Sequence, residues 1–166
     1  QGVDKRCDII ATAIRFGATG SDLNELELCY APPFGAAKDA VNMAGYAIEN
    51  LVTGKVKQAH WDEVARLPRD GSVTLLDVRT AQEVSEGAIA GFIHIPLDEL
   101  RRHLGGIDSK KPVYVCCKSG LRSYIACRIL SGHGYQCYNI AGGYQLWQST
   151  MTAREAGDFP GRPAGV

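Results

Sequence analysis

The hydrophobic and polar positions divide the chain into two parts with different patterns. Over residues 1–54, apolar side chains recur at helical spacing and predict a helix near the start, a short second helix and a longer one over 38–52. The first repeat consists of Ile9, Ile10, Ala13 and Ile14. Pro32-Pro33 excludes helix from the turn before the longest one. Helices this short cannot enclose a core alone, so we expect this part to pack against something outside it or against another chain.

A different pattern begins at Trp61, where short apolar runs alternate with helical repeats. The runs predicted to be extended are 73–78, 92–96, 113–116 and 135–140. Because a helical pattern follows each run, the sequence predicts an α/β fold in which helices cover both faces of a parallel sheet.

These patterns predict four segments. They are a helical part at 1–54, a polar linker at 55–60, an α/β domain at 61–150 and a tail rich in glycine and proline at 151–166. We expect the end of the tail, 156–166, to be frayed. Because the first residue is Gln1 rather than Met, we also expect the chain to be a piece of a longer protein.

The composition is typical of a soluble globular protein. The 166 residues are 45% hydrophobic and 22% charged, and 18 Lys and Arg balance 18 Asp and Glu. A net charge of zero gives no electrostatic reason to expect nucleic acid or an anionic membrane surface. The sequence also contains no apolar run near the ~20 residues that cross a bilayer. We therefore predict no nucleic-acid partner and no membrane partner.

The six cysteines favour neither a disulfide framework nor a zinc site. Cys7 and Cys29 lie far from the other four, and the chain is longer than small disulfide-rich domains. Because no C-x-x-C pair occurs and the four histidines are scattered, we predict no metal site. We expect a reducing, cytoplasmic environment, with Cys7 and Cys29 packed against neighbouring side chains.

The most informative segment runs from Cys117 to Arg122, between a predicted strand and a predicted helix. At the carboxyl end of a strand, such a loop turns its backbone N–H groups inward and forms a nest for an anion. The helix N-terminus, Lys118 and Arg122 all favour the thiolate form of Cys117. Gly120 allows a tight turn, and Ser119 offers a hydroxyl donor. We therefore predict a nucleophilic sulfur inside a positively charged cup of N–H donors.

The spacing within this loop distinguishes between two catalytic chemistries. Cysteine-dependent phosphatases have five residues between cysteine and arginine, which leaves room for a tetrahedral phosphate. Here only four residues intervene, namely Lys118, Ser119, Gly120 and Leu121. The smaller ring suits a sulfur atom carried on Cys117 as a persulfide. Two alternatives stay open: phosphatase or arsenate-reductase chemistry, and a non-catalytic module whose loop only binds an anion or a partner.

This spacing, with landmarks on both sides of the loop, resembles that of the rhodaneses, which are sulfurtransferases. The landmarks are Leu75-Leu76-Asp77-Val78-Arg79, Glu83, the run from Gly87 to Leu97, and Ala141-Gly142-Gly143-Tyr144 before Trp147. Ala88 departs from the pattern, because many rhodaneses have histidine there. The resemblance covers about 61–149 and implies a rhodanese-like α/β fold in which Asp77 and Arg79 are structural.

The resemblance also implies a role for each loop residue. Cys117 becomes the sulfur-accepting nucleophile, and the amides of 118–122 hold the persulfide. Arg122, helped by Lys118, is implied to attract an anionic donor such as thiosulfate. Low-molecular-weight persulfides, including those of coenzyme A, are further expected donors, and thiols or cyanide are the expected acceptors.

The helical part contains a second distinctive run. It reads Tyr30-Ala31-Pro32-Pro33-Phe34-Gly35, followed by Ala37-Lys38-Asp39 and Val41-Asn42-Met43-Ala44-Gly45. This run resembles the end of the dimerisation domain in flavin-dependent pyridine nucleotide–disulfide oxidoreductases, in the branch of the coenzyme A-disulfide reductases and NADH oxidases. Some members of that branch carry a fused rhodanese domain and are thought to reduce persulfides.

This second resemblance implies that 1–54 is a dimerisation-domain remnant of a longer homodimeric parent that uses FAD, NAD(P)H and coenzyme A. Tyr30 is then the residue that reaches across the dimer toward the partner's flavin site. Because the FAD and NADH motifs are absent from this sequence, we expect no cofactor in this chain. The alternative role for 1–54 is scaffolding at a dimer interface.

Overall fold

The computed structural model describes residues 2–155, which form two compact units, one ending at Lys55 and the other beginning at Val56. The predicted frayed segment, 156–166, lies outside the described residues. Within the described part, no helix combines the length and the apolar character that a membrane span requires.

The first unit consists of three helices, α1 (Val3–Arg15), α2 (Asp22–Glu25) and α3 (Ala40–Val52). Gly45 lets α3 approach α2 closely, because a Cβ there would lie 2.9 Å from the carbonyl oxygen of Gly20 and closer still to Asn24. The buried amide of Asn42 donates to the carbonyl oxygens of Leu23 and Leu26, each at 2.9 Å. A polar side chain thus connects the two helices at their contact.

Asp39 fixes the start of α3, and its carboxylate receives a forked hydrogen bond from Arg6 of α1. These hydrogen bonds lower the pKa of Asp39 to about 2. The apolar core of this unit is nevertheless small, since no residue of α1 is buried. The large apolar side chains that it leaves exposed are Val3, Ile14, Phe16, Tyr30, Phe34, Met43, Ile48, Leu51 and Val52.

The second unit is built on a five-stranded sheet in which every pairing is parallel, with the strand order β1-β5-β4-β2-β3. The strands are β1 (Lys57–Ala59), β2 (Thr74–Asp77), β3 (Ile93–His94), β4 (Val113–Cys116) and β5 (Cys137–Ile140). The parallel α/β fold is therefore confirmed. The prediction of a linker over 55–60 differs from the structure, because 57–59 forms β1, one of the two edge strands. That strand is short, and its first residue, Lys57, is exposed, so its sequence carries no apolar run.

Helices cover both faces of this sheet. They are α4 (Trp61–Val64), α5 (Ala81–Ser85), α6 (Leu100–His103), α7 (Leu121–Gly132) and α8 (Gly143–Glu155). One core contains Ala126, Cys127 and Leu130 of α7, and the opposite core contains Val64 of α4. The first five residues of the predicted tail, 151–155, continue α8. Because all strands are parallel, their carboxyl ends share one edge, and the loop between β4 and α7 lies at the middle of that edge.

Candidate functional site

The loop between β4 and α7 begins at Cys117 and ends where Gly120 caps the helix. Gly120 has φ of 118°, a left-handed conformation that favours glycine over any residue with a Cβ. The turn brings the N-terminus of a 12-residue helix next to the cysteine. The partial positive charge of that helix end stabilises a nearby anion.

The sulfur of Cys117 lies at the bottom of this loop and is contacted by two donors. The backbone N–H of Gly120 donates to Sγ at 3.1 Å, and Ser123 Oγ lies 3.2 Å from the same atom. Ser123 Oγ is also 3.0 Å from the carbonyl oxygen of Gly120, so its single proton is shared between two acceptors. Cys117 itself is 1% exposed. The arrangement stabilises negative charge on one sheltered sulfur atom.

The hydroxyl next to the sulfur belongs to Ser123, whereas the sequence predicts that Ser119 supplies it. Ser119 is exposed, whereas Ser123 is fully buried in the first turn of α7. Helical side chains point back toward the N-terminus, so a serine three residues after the capping glycine faces the loop. That position in the sequence is the signal that could have identified Ser123.

The N-terminus of α8 holds the loop from the other side. The N–H of Tyr144 donates to the carbonyl of Cys117 at 2.7 Å, and that of Gln145 donates to the carbonyl of Lys118 at 2.9 Å. Gly143 permits this approach, because any Cβ there would collide with the Cys117 carbonyl. The N-terminus of α8 thus holds two loop carbonyls, while the N–H of Gly120 faces the sulfur.

These contacts also decide whether the glycine pair before α8 fits the phosphates of a dinucleotide cofactor. The amides that would hold a phosphate, those of Tyr144 and Gln145, already donate to the loop carbonyls. The described residues at Gly142-Gly143 therefore do not fit such a group.

The guanidinium of Arg122 is engaged by a carboxylate. It makes a forked ion pair with Glu83 of α5, at 2.6 and 2.7 Å. The hydrogen bonds from Arg122 are the main reason why the pKa of Glu83 is lowered to about 2. Lys118 is exposed and forms no ion pair within 2–155. The prediction that Arg122 and Lys118 attract an anionic donor stays a prediction.

A buried ion pair supports the N-terminus of α8, where it contacts the loop. Arg79 and Asp77 are 1% and 2% exposed and are joined by three side-chain hydrogen bonds of 2.8 to 3.1 Å. Arg79 also donates to the carbonyl of Gly87 at 2.8 Å and lies 3.8 Å from the ring centroid of Tyr144. The pair thus fixes the residue whose N–H holds the Cys117 carbonyl.

The remaining cysteines differ in their surroundings. Cys116 is fully buried on the opposite face of the sheet, where burial raises the pKa of its thiol. Cys127 and Cys137 are buried in the core next to α7. Cys7 and Cys29 are exposed, so the prediction that they pack against neighbours was wrong. All six cysteines are free thiols.

Tyr30 lies in the first unit, in the segment between α2 and α3, and is 51% exposed. Its predicted role, a contact with the flavin site of a partner subunit, stays a prediction.

Comparison with known proteins places the second unit in a defined family. Residues 60–150 match the family model of the rhodanese-like domain. The chain is 31% identical over 83 residues to the putative sulfurtransferase YtwF of Bacillus subtilis, and the aligned region covers 50% of this chain and 81% of that protein. It is 48% identical over 46 residues to the coenzyme A disulfide reductase of Staphylococcus epidermidis, and that aligned region covers 28% of this chain and 10% of that protein.

Two solved structures match most of the chain. The reduced Bacillus anthracis CoADR-RHD superposes with a TM-score of 0.87 and 46% identity, over 93% of this chain and 28% of that one. A NAD-dependent persulfide reductase from A. fulgidus superposes with a TM-score of 0.73 and 34% identity, over 87% of this chain and 26% of that one. The chain therefore spans about a quarter of each structure. Both predicted resemblances, to rhodaneses and to the coenzyme A-disulfide reductase branch, are confirmed.

Proposed function

The chain belongs to the rhodanese-like domain family, and from this premise we propose that it transfers sulfane sulfur through a persulfide on Cys117. The observation that carries the proposal is the pair of donors on Cys117 Sγ, Gly120 N–H and Ser123 Oγ, at the N-terminus of α7. Both donors point at the atom that has to carry negative charge, first as the attacking nucleophile and then in the persulfide.

In the first half of the reaction, the Cys117 thiolate attacks the outer sulfur of a donor. The new S–S bond forms on Cys117 as the donor's own bond to that sulfur breaks. Thiosulfate then leaves as sulfite, and an organic persulfide leaves as its thiolate. The loop amides stabilise the negative charge on the resulting Cys117 persulfide by the same means as an oxyanion hole.

In the second half, an acceptor thiolate or cyanide attacks the outer sulfur, and the S–S bond to Cys117 breaks. Cys117 returns to its thiolate form, again with Gly120 and Ser123 as donors. Throughout the cycle, α8 keeps the carbonyls of Cys117 and Lys118 engaged, so the loop does not need to reorganise as charge moves between the two sulfur atoms.

Two alternatives are less well supported by the same geometry. A module that only binds a partner has no use for two donors on a buried cysteine sulfur. A phosphatase needs a wider loop and an arginine free to bind phosphate, whereas Arg122 is paired with Glu83.

The similarity to longer reductases supports a wider proposal for the protein as a whole. We infer that this domain supplies sulfur to, or receives it from, a homodimeric reductase that uses FAD, NAD(P)H and coenzyme A. Tyr30 would contact the flavin site of the partner subunit. In this proposal, the redox chemistry of these groups belongs to other parts of such a protein.

The test of sulfur transfer is thiocyanate production from thiosulfate or an organic persulfide with cyanide. The wild type should produce thiocyanate, and Cys117→Ala should not. Cys137→Ala is the matched control, because it removes a buried thiol that contacts the carbonyl of Cys127 in the core, and it should leave turnover intact. Turnover that survives Cys117→Ala would exclude the persulfide route.

A further inference from the structure

The charge of Arg122 is already neutralised before any substrate arrives. Its two terminal nitrogens contact the two carboxylate oxygens of Glu83, and both side chains are partly sheltered, at 29% and 22% exposed. A planar guanidinium binds a tetrahedral oxyanion, like a carboxylate, through two parallel N–H groups. Glu83 already engages both terminal nitrogens, so a dianion that approaches Arg122 also meets a carboxylate.

Glu83 is held in this position by its own helix. Its carboxylate accepts hydrogen bonds from the backbone N–H of Thr80 at 3.0 Å and from the Thr80 hydroxyl at 3.1 Å. Thr80 in turn caps the N-terminus of α5. The carboxylate is therefore a fixed part of the site, because moving it away from Arg122 would break the cap as well as the ion pair.

The remaining surface of the loop suits an organic molecule. Leu121 is 62% exposed and follows directly after Gly120. An exposed apolar side chain therefore lies next to the turn. Lys118 is the loop cation that forms no ion pair with a carboxylate among the described residues.

We propose that Glu83 determines the charge class of the sulfur donor. By neutralising Arg122, it weakens the binding of inorganic dianions such as thiosulfate relative to organic persulfides whose only charge lies on sulfur. Glu83 is therefore a specificity-determining residue that acts through Arg122. The inference rests on the proposed sulfur transfer and names the donor class that the site favours.

The test compares two donors, thiosulfate and 2-hydroxyethyl persulfide, in wild type and Glu83→Gln. The glutamine keeps the shape of the side chain and one acceptor for Arg122 but removes the charge. The KM for thiosulfate should fall about tenfold while kcat changes less than about twofold, because the dianion no longer faces a carboxylate. The KM for the singly charged persulfide should change less than about threefold. An equal change for both donors, or an unchanged KM for thiosulfate, would overturn the proposal.

Two further variants separate charge from structure. Glu86→Gln removes a neighbouring exposed carboxylate that does not contact Arg122, and it should leave both KM values unchanged. Glu83→Asp keeps the charge with a shorter side chain and should retain the wild-type ratio of the two KM values. If Glu83→Asp shifts that ratio as Glu83→Gln does, shape and not charge is responsible and the proposal fails.

The failure of this inference can be distinguished from failure of the proposed function. If neither donor loads sulfur onto Cys117 of the wild type, sulfur transfer itself is wrong. If both donors load Cys117 and the KM ratio is the same in wild type and Glu83→Gln, only the role of Glu83 is wrong.

Discussion

Removing the hydroxyl of Ser123 tests whether the buried donors support the reactivity of Cys117. In Ser123→Ala the sulfur keeps the N–H of Gly120 at 3.1 Å and loses the hydroxyl at 3.2 Å. A hydrogen bond to a charged group contributes about 1.5–3 kcal/mol. Because the hydroxyl proton is shared with the Gly120 carbonyl, we expect the lower end of that range.

A loss of about 1.5 kcal/mol corresponds to a fall of about tenfold in kcat/KM. The assay is thiocyanate production at fixed pH, together with the rate at which iodoacetamide alkylates Cys117, which reports the thiolate directly. Both rates should fall, and the temperature midpoint of unfolding should change little, because the substitution removes only one oxygen atom.

The matched control is Ser131→Ala, near the other end of the same helix, where the hydroxyl of an exposed serine donates to the carbonyl of Arg128. Its activity should stay within about twofold of the wild type, as is usual for surface substitutions. The reasoning is refuted if Ser123→Ala retains wild-type kcat/KM, or if Ser131→Ala loses as much activity as Ser123→Ala.

Three other predictions concern the support of the site. Asp77→Ala leaves the buried Arg79 without its carboxylate and should cost about 3–5 kcal/mol in the free energy of unfolding, measured with urea; a cost below about 1 kcal/mol would contradict a buried pair. Gly143→Ala places a Cβ against the Cys117 carbonyl at a φ of 56° and should lower both stability and turnover, whereas Gly132→Ala, which meets nothing within 4 Å, should not. The pKa of Glu83 is lowered from 4.5 to about 2 in the folded protein, so its stabilising effect is complete above the unfolded value and is lost as the pH falls from about 4.5 toward 2. The gap in melting temperature between wild type and Glu83→Gln should therefore narrow over that range, and a gap that stays constant would show that ionisation of Glu83 is not its cause.

The central sheet could be predicted from the sequence because its strands are buried on both faces. The run at 113–116 is apolar on both faces, and the structure has a strand there with the predicted bounds. The edge strand β1 could not be predicted in the same way. Lys57 and Gln58 are polar, and what makes 57–59 a strand is its backbone pairing with β5, a contact between residues about eighty positions apart in the chain.

In the candidate site, too, local features could be predicted from the sequence and long-range contacts could not. The spacing from Cys117 to Arg122 is local, so the loop and its position before a helix could be predicted. The ion pair of Arg122 joins α7 to Glu83, 39 residues earlier, and only the packing of α5 beside the loop creates it. Ser123 is an intermediate case, because its position relative to Gly120 is local but its burial depends on the core beneath α7.

The measurement that tests the central claim most directly is the intact mass of the purified protein after exposure to a sulfane-sulfur donor. We expect a fraction of the wild type to be one sulfur atom heavier, with the added atom located on Cys117 and removed by cyanide as thiocyanate. Cys117→Ala should show no such addition. A wild type that gains no cyanide-labile sulfur from any donor, or a Cys117→Ala variant that gains it equally, would contradict the assignment of this loop to sulfur transfer.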